Sequence, residues 1–207
     1  QQQRMADGKQ PEMWRDATVS GRGPGKSAMV AWREHLMMST HLGSTTIITA
    51  NTEPQLKSRT FAEVGKWNTL ALNSHWFETT VLSVRPASWF EKLCKQDLKI
   101  DTGYYYAQGQ LWSEENPDAF AGVHNPLGVQ VIYDEASGIP MPIWNVTEGF
   151  FTEPTLFRFW DVFSNGRRNS GAFYDLFHDE AMSARWRRKH IDSRTVEGTD
   201  TALFESM

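Results

Sequence analysis

With 207 residues, 40% of them hydrophobic and 13% aromatic, the chain can bury a sizeable core. Its single cysteine, Cys94, excludes an internal disulfide, fits a reducing compartment and, with six histidines scattered outside any zinc-ligand spacing, excludes a structural zinc site. There is no run of about twenty apolar residues and no signal-peptide pattern, and a net charge of −4 excludes a surface basic throughout, though not a local positive patch.

After a lead-in over residues 1–16, Ala17-Thr18-Val19 is a short β-prone approach to Ser20-Gly21-Arg22-Gly23-Pro24-Gly25-Lys26-Ser27. Ala28-Met29-Val30-Ala31-Trp32 with Leu36-Met37 then continues as a helix with one apolar face. Strand, glycine turn and helix in that order make a phosphate cradle. Glycines at 21, 23 and 25 let the chain turn tightly and aim successive N–H groups at phosphate oxygens, and the helix adds its positive N-terminal end. Lys26 is the expected contact to the β and γ phosphates, and the Ser27 hydroxyl the expected protein ligand of Mg²⁺. Ser20 stands where the consensus G-x-x-x-x-G-K-[ST] has its first glycine.

Further along, Thr45 to Ala50 reads as a strand, and Thr52, with Pro54 in the first turn, caps a helix running through Phe61, Val64 and Trp67. A strand is expected over Thr79 to Val84 and a short helix over Asp118 to Gly122. Val129-Gln130-Val131-Ile132-Tyr133-Asp134-Glu135 is an apolar run without strict alternation, as in a strand buried on both faces, and it ends in two carboxylates. Asp134 at the carboxyl end would hold Mg²⁺ through water, and Glu135 would orient and polarise an attacking water. Leu156 to Phe163 reads as a strand that ends in the turn Ser164-Asn165-Gly166, Ala172 to Phe177 as a helix, and Arg185 to His190 as a charged, half-exposed strand. Of nine tryptophans, Trp32, Trp67, Trp76, Trp89 and Trp160 are assigned to the core or its margin. Strands alternating with helices predict an α/β domain with a mainly parallel sheet covered on both sides.

These segments resemble, in order, those of the large terminase subunits of tailed bacteriophages, the ATP-driven DNA-packaging motors. The likeness runs from about Trp14 to the end. It rests on the phosphate loop with Arg22 inside it, on Glu115 to His124, on Asp134-Glu135-Ala136 and on Ser164 to Phe173. The resemblance implies a RecA-like P-loop NTPase of the ASCE class, three-layered, with the ATPase core over 17–195 and a further helix beginning in 196–207. It implies ATP and Mg²⁺ as ligands, a guanidinium from Arg22 near the γ-phosphate, and Ser164 with Asn165 as the coupling segment. An adenine contact is expected from Gln10, Trp14 or Arg15, and a second arginine from a neighbouring subunit, for which Arg59 is a candidate. Arg167-Arg168 and the Arg185 to His190 cluster are the basic patches on offer.

The implied partners are double-stranded viral DNA, a portal protein, a small terminase subunit and further copies of the chain in a ring. The implied location is the cytoplasm of a bacterial host, without membrane attachment. Both ends look cut, and the carboxylates of a two-metal nuclease are missing, so a motor fragment without nuclease activity is expected. Two alternatives stay open: another DNA-translocating P-loop ATPase, and a catalytically silent nucleotide-binding or assembly module.

Overall fold

The computed structural model describes residues 12–21 and 23–197. Gln10, Arg22 and the helix expected within 199–207 therefore lie outside the described residues. The chain opens with β1 (Met13–Ser20), α1 (Lys26–Thr40) and β2 (Thr45–Thr49), then a helical turn (Glu53–Gln55), a π-helical turn (Leu56–Thr60) and α2 (Phe61–Leu70). β3 (Phe77–Thr79), β4 (Ser83–Pro86), α3 (Ser88–Gln96), β5 (Tyr106–Gly109) and β6 (Val129–Asp134) follow. α4 (Met141–Gly149), β7 (Arg158–Ser164), α5 (Ala172–His178), a short helical turn (Glu180–Ser183) and β8 (Arg187–Ile191) complete it.

The strands form one eight-stranded sheet in the order β3-β4-β5-β2-β6-β7-β1-β8. The six from β5 to β8 run parallel, and β3 and β4 add an antiparallel margin. Parallel strands need covered faces, and here each face carries its own core. Val129, Val131 and Tyr133 of β6 point to one side with Trp160 and Val162 of β7, against Ile143 and Trp144 of α4 and Phe173 and Leu176 of α5. Ile132 and Phe163 point to the other, with Ile48 of β2, against Val30 and Met38 of α1, Val64 of α2 and Phe90 of α3. The period-two alternation thus supplies both faces with apolar groups, which explains why β6 reads as a continuous apolar run. The result is a three-layer α/β/α arrangement, as expected.

Three expectations are corrected. The strand over Thr79 to Val84 is instead the hairpin β3–β4: Thr80 N donates to Ser83 O at 2.7 Å and the two hydroxyls meet at 2.8 Å, so local polar bonds close a turn where the β-branched residues suggested extension. Trp32 and Trp89 are 47% and 46% exposed rather than core. Trp32 rests edge-on against Trp67 with ring centroids 4.9 Å apart, and Trp89 stacks on His75 while its indole N–H donates to the His75 carbonyl at 2.9 Å. Trp67 and Trp76 are half-buried and Trp160 fully buried. The helix placed at Asp118 to Gly122 is a 3₁₀ turn, Pro117–Phe120. Thr52 does cap its turn, accepting from Gln55 N at 3.3 Å.

One buried acid joins α1 to α2. Glu34 is fully buried and its carboxyl takes one bond, from Asn68 Nδ2 at 3.2 Å, leaving Oε1 without a partner among the described residues. Burial pushes its pKa up from 4.5 to about 8. Because the folded state holds this proton above the pH at which the unfolded chain releases it, stability falls as pH rises between those values. Glu34→Gln is expected to be nearly neutral at pH 5 and to raise the unfolding midpoint at pH 8 by about 3 °C or more, the scale of ~1 kcal/mol for a chain this size. Thermal melts of both proteins at the two pH values check this.

Candidate active site

The carboxyl ends of β1, β6 and β7 converge on one cavity of about 1080 Å³, lined by Gly23, Gly25, Lys26, Ser27, Asp134, Glu135 and Asn165 among others. The sheet order explains the convergence. β7 lies between β1 and β6 and all three are parallel, so the turns that follow them emerge on the same edge. The glycine turn and the acidic tip, far apart in sequence, share one pocket.

Ser20, buried, ends β1, and the chain then turns through Gly23 and Gly25 at φ 91° and 85°, a region that favours glycine. Gly25 is the N-cap of α1, so Lys26 and Ser27 occupy its first turn. Lys26 Nζ folds back and donates to Ser20 Oγ at 3.2 Å, to Gly21 O at 2.7 Å and to Asn165 Oδ1 at 2.6 Å. Burial lowers its pKa, opposed by the negative charges of Glu135 and Asp134. All three acceptors are neutral. The ammonium is therefore held by hydrogen bonds, with no direct ion pair among the described residues.

Asp134 ends β6, is buried, and has its pKa raised chiefly by that burial. Its Oδ2 accepts from the Thr60 hydroxyl at 2.6 Å, which opposes the shift. Thr60 closes the π-helical turn and is itself buried. Glu135 follows in the left-handed region at φ 59°, an uncommon place for a non-glycine residue and one that costs roughly 1–3 kcal/mol. The conformation is secured on both sides: Asn51 Nδ2 donates to the Glu135 carbonyl at 3.1 Å, and Asn165 Nδ2 donates to its Oε1 at 3.4 Å. Gly138 lets Asn51 approach, since a Cβ there would lie 2.2 Å from Asn51 Nδ2. Backbone strain is thus spent on turning this carboxylate toward Asn165 and the cavity.

Asn165, at the end of β7, touches both motifs: its carbonyl takes Lys26 and its amide nitrogen reaches Glu135. Ser164 beside it accepts from Ser137 N at 3.1 Å and donates to Ser137 Oγ at 2.8 Å, fixing the turn after Glu135. The expected coupling pair therefore meets the acidic tip side chain by side chain. Thr60, Asn51 and Ser137 were not singled out from sequence. Each is a small polar residue in a turn, and only the fold brings it to a catalytic-type carboxylate.

The remaining expectations fall variously. Pro24 is half-buried within the loop. Trp14 and Arg15 lie six and five residues before Ser20, roughly 16–20 Å back along the strand by its rise per residue. They are engaged there, Arg15 with Glu148 at 2.6 Å and Trp14 under the Arg187 guanidinium at 4.6 Å, so the structure separates both from the cavity. Arg187 also pairs with Asp16, and Arg185 with Glu148, so part of that basic cluster is spent on internal ion pairs. Arg167 lines the cavity, whereas Arg168 is exposed outside it. Arg59, expected to serve a neighbouring subunit, lines the cavity of its own chain. Among the described residues no cluster of three or more His, Cys, Asp or Glu could hold a metal ion alone, and no helix is long and apolar enough to cross a membrane.

No protein-family model and no curated relative matches the sequence. Solved structures do match in fold. The ATPase domain of the large terminase of Thermus phage P74-26 superposes with a TM-score of 0.60 at 18% identity, over 96% of this chain and 88% of that one. The large terminase of a thermophilic bacteriophage matches in complex with ADP with a TM-score of 0.57 at 12% identity, over 86% of this chain. A second crystal form of that protein matches with a TM-score of 0.60 at 11% identity, over 92%. This chain spans 40% and 45% of the length of those last two. The architecture assembled here, a mainly parallel sheet with the glycine turn and the acidic tip on one edge, matches in fold the phage large terminases and their ATPase domain.

Proposed function

We propose that the chain binds ATP at the convergence of β1, β6 and β7 and hydrolyses it to drive double-stranded viral DNA into a procapsid. The observation that carries this reading is Asn165, bonded at once to Lys26 of the phosphate loop and Glu135 of the acidic tip. Incoming phosphates offer Lys26 charged acceptors in place of three neutral ones, so the ammonium leaves Asn165 for the β and γ phosphates. The loop N–H groups and the N-terminal end of α1 receive the rest of the triphosphate. Arg22 is assigned to the γ-phosphate as well. Glu135, held in its left-handed turn, takes a proton from the attacking water.

The donor set suits Mg²⁺, a hard cation that keeps several waters and needs few protein ligands. Ser27 offers a hydroxyl and Asp134 a carboxylate across the same cavity. Held by Ser27 and Asp134, such an ion would neutralise charge on the phosphate oxygens. Thr60 keeps the Asp134 carboxylate oriented. When Lys26 departs, Asn165 loses one of its two partners, and Ser164 ties that change to the turn beyond Glu135. This is a route from the phosphates to the end of β7, and we assign coupling to it. The same reading implies assembly into a ring with portal protein and small terminase subunit, in the host cytoplasm.

Glu135→Gln is expected to lower DNA-stimulated ATP hydrolysis at least about 100-fold while ATP affinity changes by less than about threefold. Unchanged turnover removes Glu135 from the chemistry. A wild-type chain that binds ATP yet never hydrolyses it, with DNA and assembly supplied, would point instead to a nucleotide-binding module. Thr60→Val deletes the hydroxyl on Asp134 at nearly constant volume. It is expected to raise the Mg²⁺ concentration for half-maximal hydrolysis several-fold and to cost ~1–2 kcal/mol of stability. A Mg²⁺ titration of rate together with denaturant unfolding separates the two effects.

A further inference from the structure

The segment after β2 carries three cations on successive faces of the chain. Lys57 pairs with Glu53, and Lys66 with Glu63. Arg59 has no carboxylate within ion-pair distance among the described residues, and it lines the cavity with Lys26, Ser27, Asp134 and Glu135. An exposed arginine usually acquires an acid or faces bulk solvent. This one lines the cavity in which the proposed triphosphate would lie.

Its position is set by the π-helical turn, in which Leu56 and Thr60 are buried while Lys57, Ser58 and Arg59 stay exposed. A π-turn holds one residue more than an α-turn and so re-aims the side chains that follow; such turns gather at functional sites. Here it delivers Thr60 inward to Asp134 at 2.6 Å. That bond anchors the turn to the tip of β6. Arg59, one residue earlier and exposed, projects from the same anchored turn and lines the cavity.

The geometry points to Arg59 as a phosphate-contacting residue in cis: its guanidinium binds the terminal phosphoryl group of the nucleotide held by the same chain. This rests on the ATP-site reading above and adds a catalytic residue from the turn after β2. Phosphoryl transfer spreads negative charge over the equatorial oxygens, and a planar fork of N–H donors is well matched to them. Lysine presents a single point charge and would substitute poorly. Arg59 comes from the π-helical turn and Lys26 from the glycine turn, so the two cations reach the cavity from different elements. Arg59 needs no second subunit to reach the site.

The test uses the full chain with DNA. Arg59→Ala is expected to slow hydrolysis at saturating ATP by about 10²–10³-fold, the cost of losing one donor to developing charge. ATP affinity should fall while ADP affinity stays within about twofold, since ADP lacks the group contacted; intact ADP binding also shows that the variant is folded. Arg59→Lys should recover only a small part of the rate. Mixing Arg59→Ala with Lys26→Ala chains decides between cis and trans. In cis, no mixture exceeds the sum of its parents. Recovery of a substantial fraction of wild-type rate would mean that each Lys26→Ala chain lends its Arg59 to a neighbour, and would overturn the inference. Wild-type turnover and an unaltered ATP-to-ADP preference in Arg59→Ala would overturn it too. Failure of the site reading has a different signature: Lys26→Ala alone would then bind nucleotide as well as wild type.

Discussion

A cation solvated without being neutralised is the interaction on which the site depends. Lys26 is half-buried, and burying an ammonium is costly unless its N–H donors are satisfied. Had a carboxylate met it directly, the pair would hold no net attraction for an anion. Instead Ser20, Gly21 and Asn165 satisfy the donors with neutral oxygens, and the nearest acid, Glu135, is kept one residue away with Asn165 between them. In a partly desolvated cavity that arrangement leaves the ammonium without a direct ion pair, and the N-terminal end of α1 adds to the positive potential.

Around that charge, the strand ends are braced by short polar side chains rather than by packing. Thr60 holds Asp134, Asn51 holds the Glu135 backbone, and Ser164 holds Ser137. Each bond is worth only about 1 kcal/mol net, yet the left-handed turn at Glu135 costs as much or more. The site persists because the two apolar layers beneath it, around Trp160 and Tyr133 on one face and Ile48 and Ile132 on the other, fix where the strands end. Packing positions the tips, and polar bonds then aim the groups they carry.

What sequence conveyed and what it withheld follow from this division. β6 and β7 were legible because they are long apolar runs with polar tips, and the turn over 20–27 because glycine spacing has a geometric meaning of its own. β5, α3 and α4 were not assigned. β5 is four residues, Tyr106–Gly109, too short for a period to register. α4 opens after Pro140 and mixes Trp144 and Val146 with Thr147 and Glu148, so its apolar stripe is narrow. The β3–β4 hairpin was mistaken for one strand because Val81 and Leu82 look extended, while Thr80 and Ser83 close the turn between them. Trp32 and Trp89 were assigned inward by size alone, yet each satisfies itself against another aromatic ring at the surface. Thr60 could not be read at all, since its partner lies 74 residues away and the π-turn that aims it leaves no compositional trace.

The margins of the sheet are unlike each other. At one side the parallel array ends in the short antiparallel hairpin β3–β4; at the other it ends in β8, whose Arg187, Arg188, Lys189 and His190 are exposed. Open backbone groups on a last strand invite another chain to pair with them, and charged side chains along it discourage that. Along β8 that row of cations disfavours edge-to-edge growth from molecule to molecule.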